Sequence, residues 1–196
     1  MLHHRHSPLF SLLVFSPAPH SLPEPRRLVP PASQGRLRRS KRCPLRLEPC
    51  SNLSGPFPSI LCRLKSLSFI SLYDNFINST LVEDELALCQ SLEHLDLAQN
   101  YLTGELPRRL ADLPNLKYLD LTGNNFSGVI PDSFGTFQKL EVLSLVENLL
   151  EGTVPAFLGN VSTLKQLNLS YNPFSTGRIP PELGNLTNLE AVADRD

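Results

Sequence analysis

Leucines recur along residues 51–190 in a fixed phrase, Leu-x-x-Leu-x-Leu-x-x-Asn, whereas residues 1–50 show no apolar periodicity. The phrase runs from Leu92 to Asn100, Leu116 to Asn124, Leu140 to Asn148 and Leu164 to Asn172, and Leu67 to Asn75 is a looser copy with Ile70 in the middle slot. Aligned on their asparagines, the copies are spaced by 25, 24, 24 and 24 residues. A period in the twenties takes precedence over local propensity: one such unit cannot bury its apolar face alone and must stack on its neighbours.

Within Leu-x-Leu the two leucines point to one side of a short strand and the residue between them to the other. Stacked copies predict a parallel sheet on a concave wall, with leucines inside. Each asparagine falls where the chain turns inward, and its buried amide needs partners that the backbone of adjacent repeats can supply. Leu110, Leu113, Leu158, Leu183 and Leu186 are expected to close the convex side, and Phe126, Phe134, Phe157 and Phe174 to form an aromatic spine on the outer side. Cys89 occupies a slot that reads leucine in the next repeat (Leu113), which makes it a buried core thiol on this reading.

A second phrase follows the asparagines: Gly104-Glu105-Leu106-Pro107, Gly128-Val129-Ile130-Pro131, Gly152-Thr153-Val154-Pro155 and Gly177-Arg178-Ile179-Pro180, with Gly55-Pro56-Phe57-Pro58 as a partial copy. With this insert the chain resembles the plant extracellular leucine-rich repeats. The resemblance implies an α/β-type repeat, a right-handed solenoid with short parallel strands on its concave face. The run from Ser51 to about Glu190 is similar to the first repeats of HAESA-like receptor kinases. Asn52-Leu53-Ser54-Gly55-Pro56-Phe57-Pro58-Ser59, Ser71-Leu72-Tyr73-Asp74-Asn75 and Asn168-Leu169-Ser170-Tyr171-Asn172-Pro173-Phe174-Ser175 carry the likeness. It implies a ligand-binding domain at the plasma membrane or outside the cell, a secreted peptide as ligand and a second receptor kinase as co-receptor.

The family's members also carry a membrane helix and a serine/threonine kinase. Here no glycine-rich kinase loop, His-Arg-Asp or Asp-Phe-Gly occurs, nor a phosphate loop, His-Glu-x-x-His or Gly-x-Ser-x-Gly, so neither catalysis nor a cofactor is expected. The family's Arg-x-Arg pair for a peptide C-terminus lies in later repeats; Arg36-Leu37-Arg38 falls before the repeats. No apolar run approaches the roughly 20 residues that span a bilayer. A monomer is expected.

Charge divides the chain. Residues 1–50 hold nine Lys/Arg and two acids, a net of +7, and residues 51–196 hold nine Lys/Arg and seventeen acids, a net of −8. With nine prolines, residues 1–50 read as a disordered basic tail, and residues 51–196 as the repeat domain. Three readings stay open for the start of the tail: a secretory signal around Leu9–Phe15, an organelle transit peptide, or a segment misread from the gene. Arg38-Arg39-Ser40-Lys41-Arg42 looks like a nuclear-import or nucleic-acid patch, but acidic repeats would repel nucleic acid, so none is expected as a partner. His3, His4 and His6 lack surrounding structure, and no metal site is expected. Cys43 and Cys50 have the spacing of the family's N-terminal cap pair without its Trp-Gly pattern, and Asp194 stands where a sixth repeat would want a core leucine.

The strand residues between the leucines form the expected binding surface: Phe69, Ser71 and Tyr73; His94, Asp96 and Ala98; Tyr118, Asp120 and Thr122; Val142, Ser144 and Val146; Gln166, Asn168 and Ser170. Aromatic rings beside carboxylates suit an extended peptide, which makes Tyr73, His94, Asp96, Tyr118 and Asp120 the candidate ligand-binding residues. Asn-x-Ser/Thr sequons at Asn52, Asn78, Asn125, Asn160, Asn168 and Asn185 are candidate glycosylation sites. Two other readings compete with a receptor fragment: a secreted inhibitor of microbial wall-degrading enzymes, like polygalacturonase inhibitors, and a non-functional truncated receptor.

Overall fold

The computed structural model describes residues 53–190. The Cys43/Cys50 pair, the histidines near the start, the basic run, Asn52 and Asp194 lie outside the described residues.

Each Leu-x-Leu forms a three-residue strand: β2 Phe69–Ser71, β4 His94–Asp96, β6 Tyr118–Asp120, β8 Val142–Ser144 and β10 Gln166–Asn168. These five pair in parallel and in sequence order, and equivalent residues face one another: Phe69 opposite His94, then Tyr118, Val142 and Gln166. The inward residues Ile70, Leu95, Leu119, Leu143 and Leu167 are buried, as are Leu92, Leu97, Leu116, Leu121, Leu140, Leu145 and Leu164. Burying a leucine side chain contributes roughly 2 kcal/mol, so stacking one repeat on the next is what stabilises either.

The asparagine ladder matches the sequence expectation. Asn124 Nδ2 donates to Leu121 O and Thr122 O in its own repeat and to Leu97 O in the preceding one, while its Oδ1 accepts from Leu102 N–H. Asn100, Asn148 and Asn172 repeat the scheme. The residue before each asparagine has a left-handed backbone: φ is 55° at Asp74, Gln99 and Glu147, 56° at Tyr171 and 65° at Gly123.

The Gly-x-[apolar]-Pro phrase brings a second sheet that the leucine pattern does not announce. It comprises β1 Ser54–Gly55, β3 Phe76–Ser79, β5 Tyr101–Glu105, β7 Asn125–Gly128 and β9 Leu149–Leu150, again parallel and in sequence order. Each proline then precedes a 3-10 turn on the convex side: Pro58 before Ser59–Arg63, Pro107 before Arg108–Asp112, Pro131 before Asp132–Thr136, Pro155 before Ala156–Asn160 and Pro180 before Pro181–Asn185. Val82 replaces proline in one repeat, and there the turn is a short α-helix, α1 Glu83–Leu86.

Leu110, Leu113, Leu158, Leu183 and Leu186 close the convex side as expected. The phenylalanines do not form one spine. Phe126 sits in β7, Phe134 and Phe157 lie in 3-10 turns, and Phe134 meets Phe137 edge-on at 5.1 Å.

The reading of Cys89 as a core thiol is corrected. Cys89 is bonded to Cys62 across 27 residues of sequence. Both are buried, and the bond ties the first 3-10 turn to the chain just after α1, stapling two successive repeats. A slot filled by leucine elsewhere disguised Cys89, and its partner Cys62 stands two positions earlier in the repeat register, where the later repeats carry alanine (Ala87 and Ala111).

Candidate binding face

The concave strands set outward side chains in rows. Strand pairing puts Phe69, His94 and Tyr118 side by side, and their rings stack: Phe69 on His94 at 4.2 Å and 9°, and His94 on Tyr118 at 4.1 Å and 11°. The repeat spacing of 25 and 24 residues aligns these three positions; Phe69, expected on this surface but not among the five candidate residues, joins His94 and Tyr118 through the stack. Cross-strand aromatic pairs of this kind stabilise a sheet by up to about 1 kcal/mol each.

The next row holds Ser71, Asp96, Asp120 and Ser144 in register. Asp96 Oδ1 accepts from Ala98 N–H at 3.1 Å and Asp120 Oδ1 from Thr122 N–H at 2.9 Å, so each carboxylate closes its own strand end. Their other oxygens accept from Ser71 Oγ at 2.9 Å and Tyr118 OH at 3.2 Å. Two like charges directly across a ladder repel, yet among the described residues no ion pair reaches either aspartate.

Four of the five candidate residues, His94, Asp96, Tyr118 and Asp120, therefore form one cluster. Tyr73 stands exposed in the third row, apart from the ring stack. Beside it in that row Ala98, expected on the surface, is buried at 3% exposure. Burial pushes the His94 imidazolium pKa below its ordinary value, while Asp96 and Asp120 oppose the shift.

Just before the strands, an edge of alternating charge is paired within itself: Lys117 with Glu93 at 2.8 Å and Lys165 with Glu141 at 2.6 Å. On the opposite edge a shallow depression is lined by Asp74, Phe76, Gln99, Tyr101, Asn125 and Glu147 among others. Phe76 and Tyr101 stack there at 6.0 Å. The sequons at Asn78, Asn125, Asn160 and Asn185 are exposed, whereas Asn168 is half-buried in β10 with its Oδ1 accepting from Ser170 N–H. No group of three or more metal-ligating side chains occurs among the described residues.

Family models for leucine-rich repeats match residues 114–174, 90–131 and 163–186. Residues 90–186 are leucine-rich repeats. Receptor-like protein kinase HSL1 of Arabidopsis thaliana is 69% identical over 43 residues, 22% of this chain and 4% of that protein. The structure is similar to the Arabidopsis receptor kinase HAESA solved in complex with the peptide hormone IDA and the co-receptor SERK1. That match has a TM-score of 0.69 at 55% identity, over 70% of this chain and 23% of that one. It is also similar to the plant peptide hormone receptor RGFR1 in complex with RGF2, with a TM-score of 0.65 at 34% identity over 70% of this chain and 22% of that one. The leucine-rich-repeat domain thus spans a small part of its curated relatives and about a quarter of these receptor chains.

Proposed function

We propose that this chain is a binding domain whose concave face receives an extended secreted peptide, in the manner of a peptide-hormone receptor ectodomain. The Phe69–His94–Tyr118 stack beside Asp96 and Asp120 carries this reading: it sets apolar ring surface next to carboxylate acceptors on a rigid sheet, the combination an extended peptide requires. The similar HAESA and RGFR1 structures contain peptides, which supports the same use here, with a co-receptor kinase as a further partner. The chain acts by binding, not catalysis.

The buried Cys62–Cys89 disulfide supports an oxidising, extracellular location. The exposed sequons at Asn78 and Asn125 lie on the second sheet, so glycans there would leave the concave face clear, while the engaged amide of Asn168 makes it the poorest acceptor.

Calorimetric titration of the full chain with the IDA peptide tests the proposal. Tyr118→Ala and Asp120→Ala should each weaken binding about ten-fold, equivalent to about 1.4 kcal/mol, whereas Glu151→Ala beyond the second sheet should leave it unchanged. Equal affinity in all three variants would contradict the assignment.

A further inference from the structure

The concave face is short of cations. None of its outward strand positions, from Phe69 to Ser170, is Lys or Arg. Asp96 and Asp120 stand in its centre, and Asp74 and Glu147 on its edge. The nearby lysines do not compensate them, because Lys117 and Lys165 are held by Glu93 and Glu141, and Arg109 is engaged on the convex side by Asp84 and Asp112. A sheet face that sets two carboxylates side by side next to an exposed Phe69 ring and the half-buried His94 and Tyr118 carries uncompensated negative charge beside an apolar surface. It fits a chain segment that brings several cations on long aliphatic stems, since guanidinium groups both neutralise carboxylates and lie flat on aromatic rings.

Such a segment exists in this chain. Residues 36–42, Arg36-Leu37-Arg38-Arg39-Ser40-Lys41-Arg42, carry five cations and no acid. We propose that the acidic, aromatic stretch of the concave face is a docking surface for this segment of the same chain. Reach permits it. Residues 43–52 join the segment to Leu53 and extend to about 30 Å. The strands to be reached, β2, β4 and β6, begin in the repeat next to β1 and follow at about 4.8 Å intervals. A tether of this length keeps the segment at roughly millimolar effective concentration, so weak contacts suffice. The docked segment would cover the face proposed above for a peptide and compete with it. The docking itself requires no external peptide, so it stands or fails separately from that reading.

Zero-length carbodiimide cross-linking of the full chain, read by peptide mass spectrometry, tests the inference. Lys41 is the only amine in the segment. The expected result is an intramolecular Lys41 amide to Asp96 or Asp120, reduced at least ten-fold by Asp96→Asn with Asp120→Asn and by about 0.5 M salt. Asparagine keeps the Oδ1 that accepts from Ala98 or Thr122 N–H, so the strand ends survive. Lys41 cross-links spread equally over Glu83, Glu105 and Glu151, or found only between chains, would overturn it. A second variant leaves the repeats untouched: replacing the five cations of residues 36–42 with Gln should shift the His94 ring-proton resonances. Unchanged His94 resonances would overturn the inference as well.

Discussion

Asn124 shows how one side chain serves two repeats. Its amide donates to three carbonyls and accepts one N–H, all away from water. Asn124→Ala leaves those groups unpaired, and at 1–3 kcal/mol for an unsatisfied buried group it should cost about 3 kcal/mol or more by urea denaturation; a loss under 1 kcal/mol would mean that water replaces the amide. His94 makes a pH prediction. Its folded pKa is depressed, by burial first, so the unfolded chain binds the proton more readily. The contribution is fully present above the unfolded value near 6.5 and is lost as pH falls through the lower folded value. Melting temperature should therefore drop between about pH 7 and pH 5.5, and His94→Gln should flatten that slope. An identical slope in the variant would assign it to other groups. The asparagines and concave rows were legible in the sequence because each recurs at fixed spacing; the ring stack was legible only through the register, which aligned Phe69 with His94 and Tyr118.

At the scale of elements, the second sheet and the disulfide are what the leucine pattern could not deliver. β5 and β7 arise from residues around the glycine, where a single apolar position repeats: Leu102 corresponds to the equally buried Phe126, but exposed Tyr101 corresponds to Asn125. Glycine marks the strand exits. Gly104 has φ +87° and a Cβ there would lie 2.7 Å from Thr80 Cγ2, while Ser79 holds the corresponding place one repeat earlier at φ 140°. Gly104→Ala should destabilise by about 1–2 kcal/mol and Ser79→Gly should stabilise by up to about 1 kcal/mol, a pair of opposite signs that urea denaturation resolves. The Cys62–Cys89 link was invisible because its two ends replace apolar core residues. Its closed loop corresponds to about 3–4 kcal/mol by the chain-entropy estimate, so Cys62→Ser with Cys89→Ser should lower stability by that order. A loss well under 1 kcal/mol would show that packing alone holds the first repeats together.

For the whole molecule, the two parallel sheets and the convex turns make each repeat depend on its neighbours, so the outward rows on β2, β4 and β6, proposed to bind ligand, stay in register only while the stack is intact. A peptide lying along the face would touch several repeats at once and couple them further. The separation of roles is clear in the geometry: leucines and asparagines face inward and hold the stack, and the rings and carboxylates between them face outward and are spared from it. The central claim is that this outward face is where ligand binds. The most direct measurement is side-chain NMR of the full chain titrated with the IDA peptide. His94 and Tyr118 ring resonances should move in step with binding while Phe134 and Phe137, on the convex side, stay fixed. Binding that shifts the convex rings and leaves His94 and Tyr118 unchanged would contradict it.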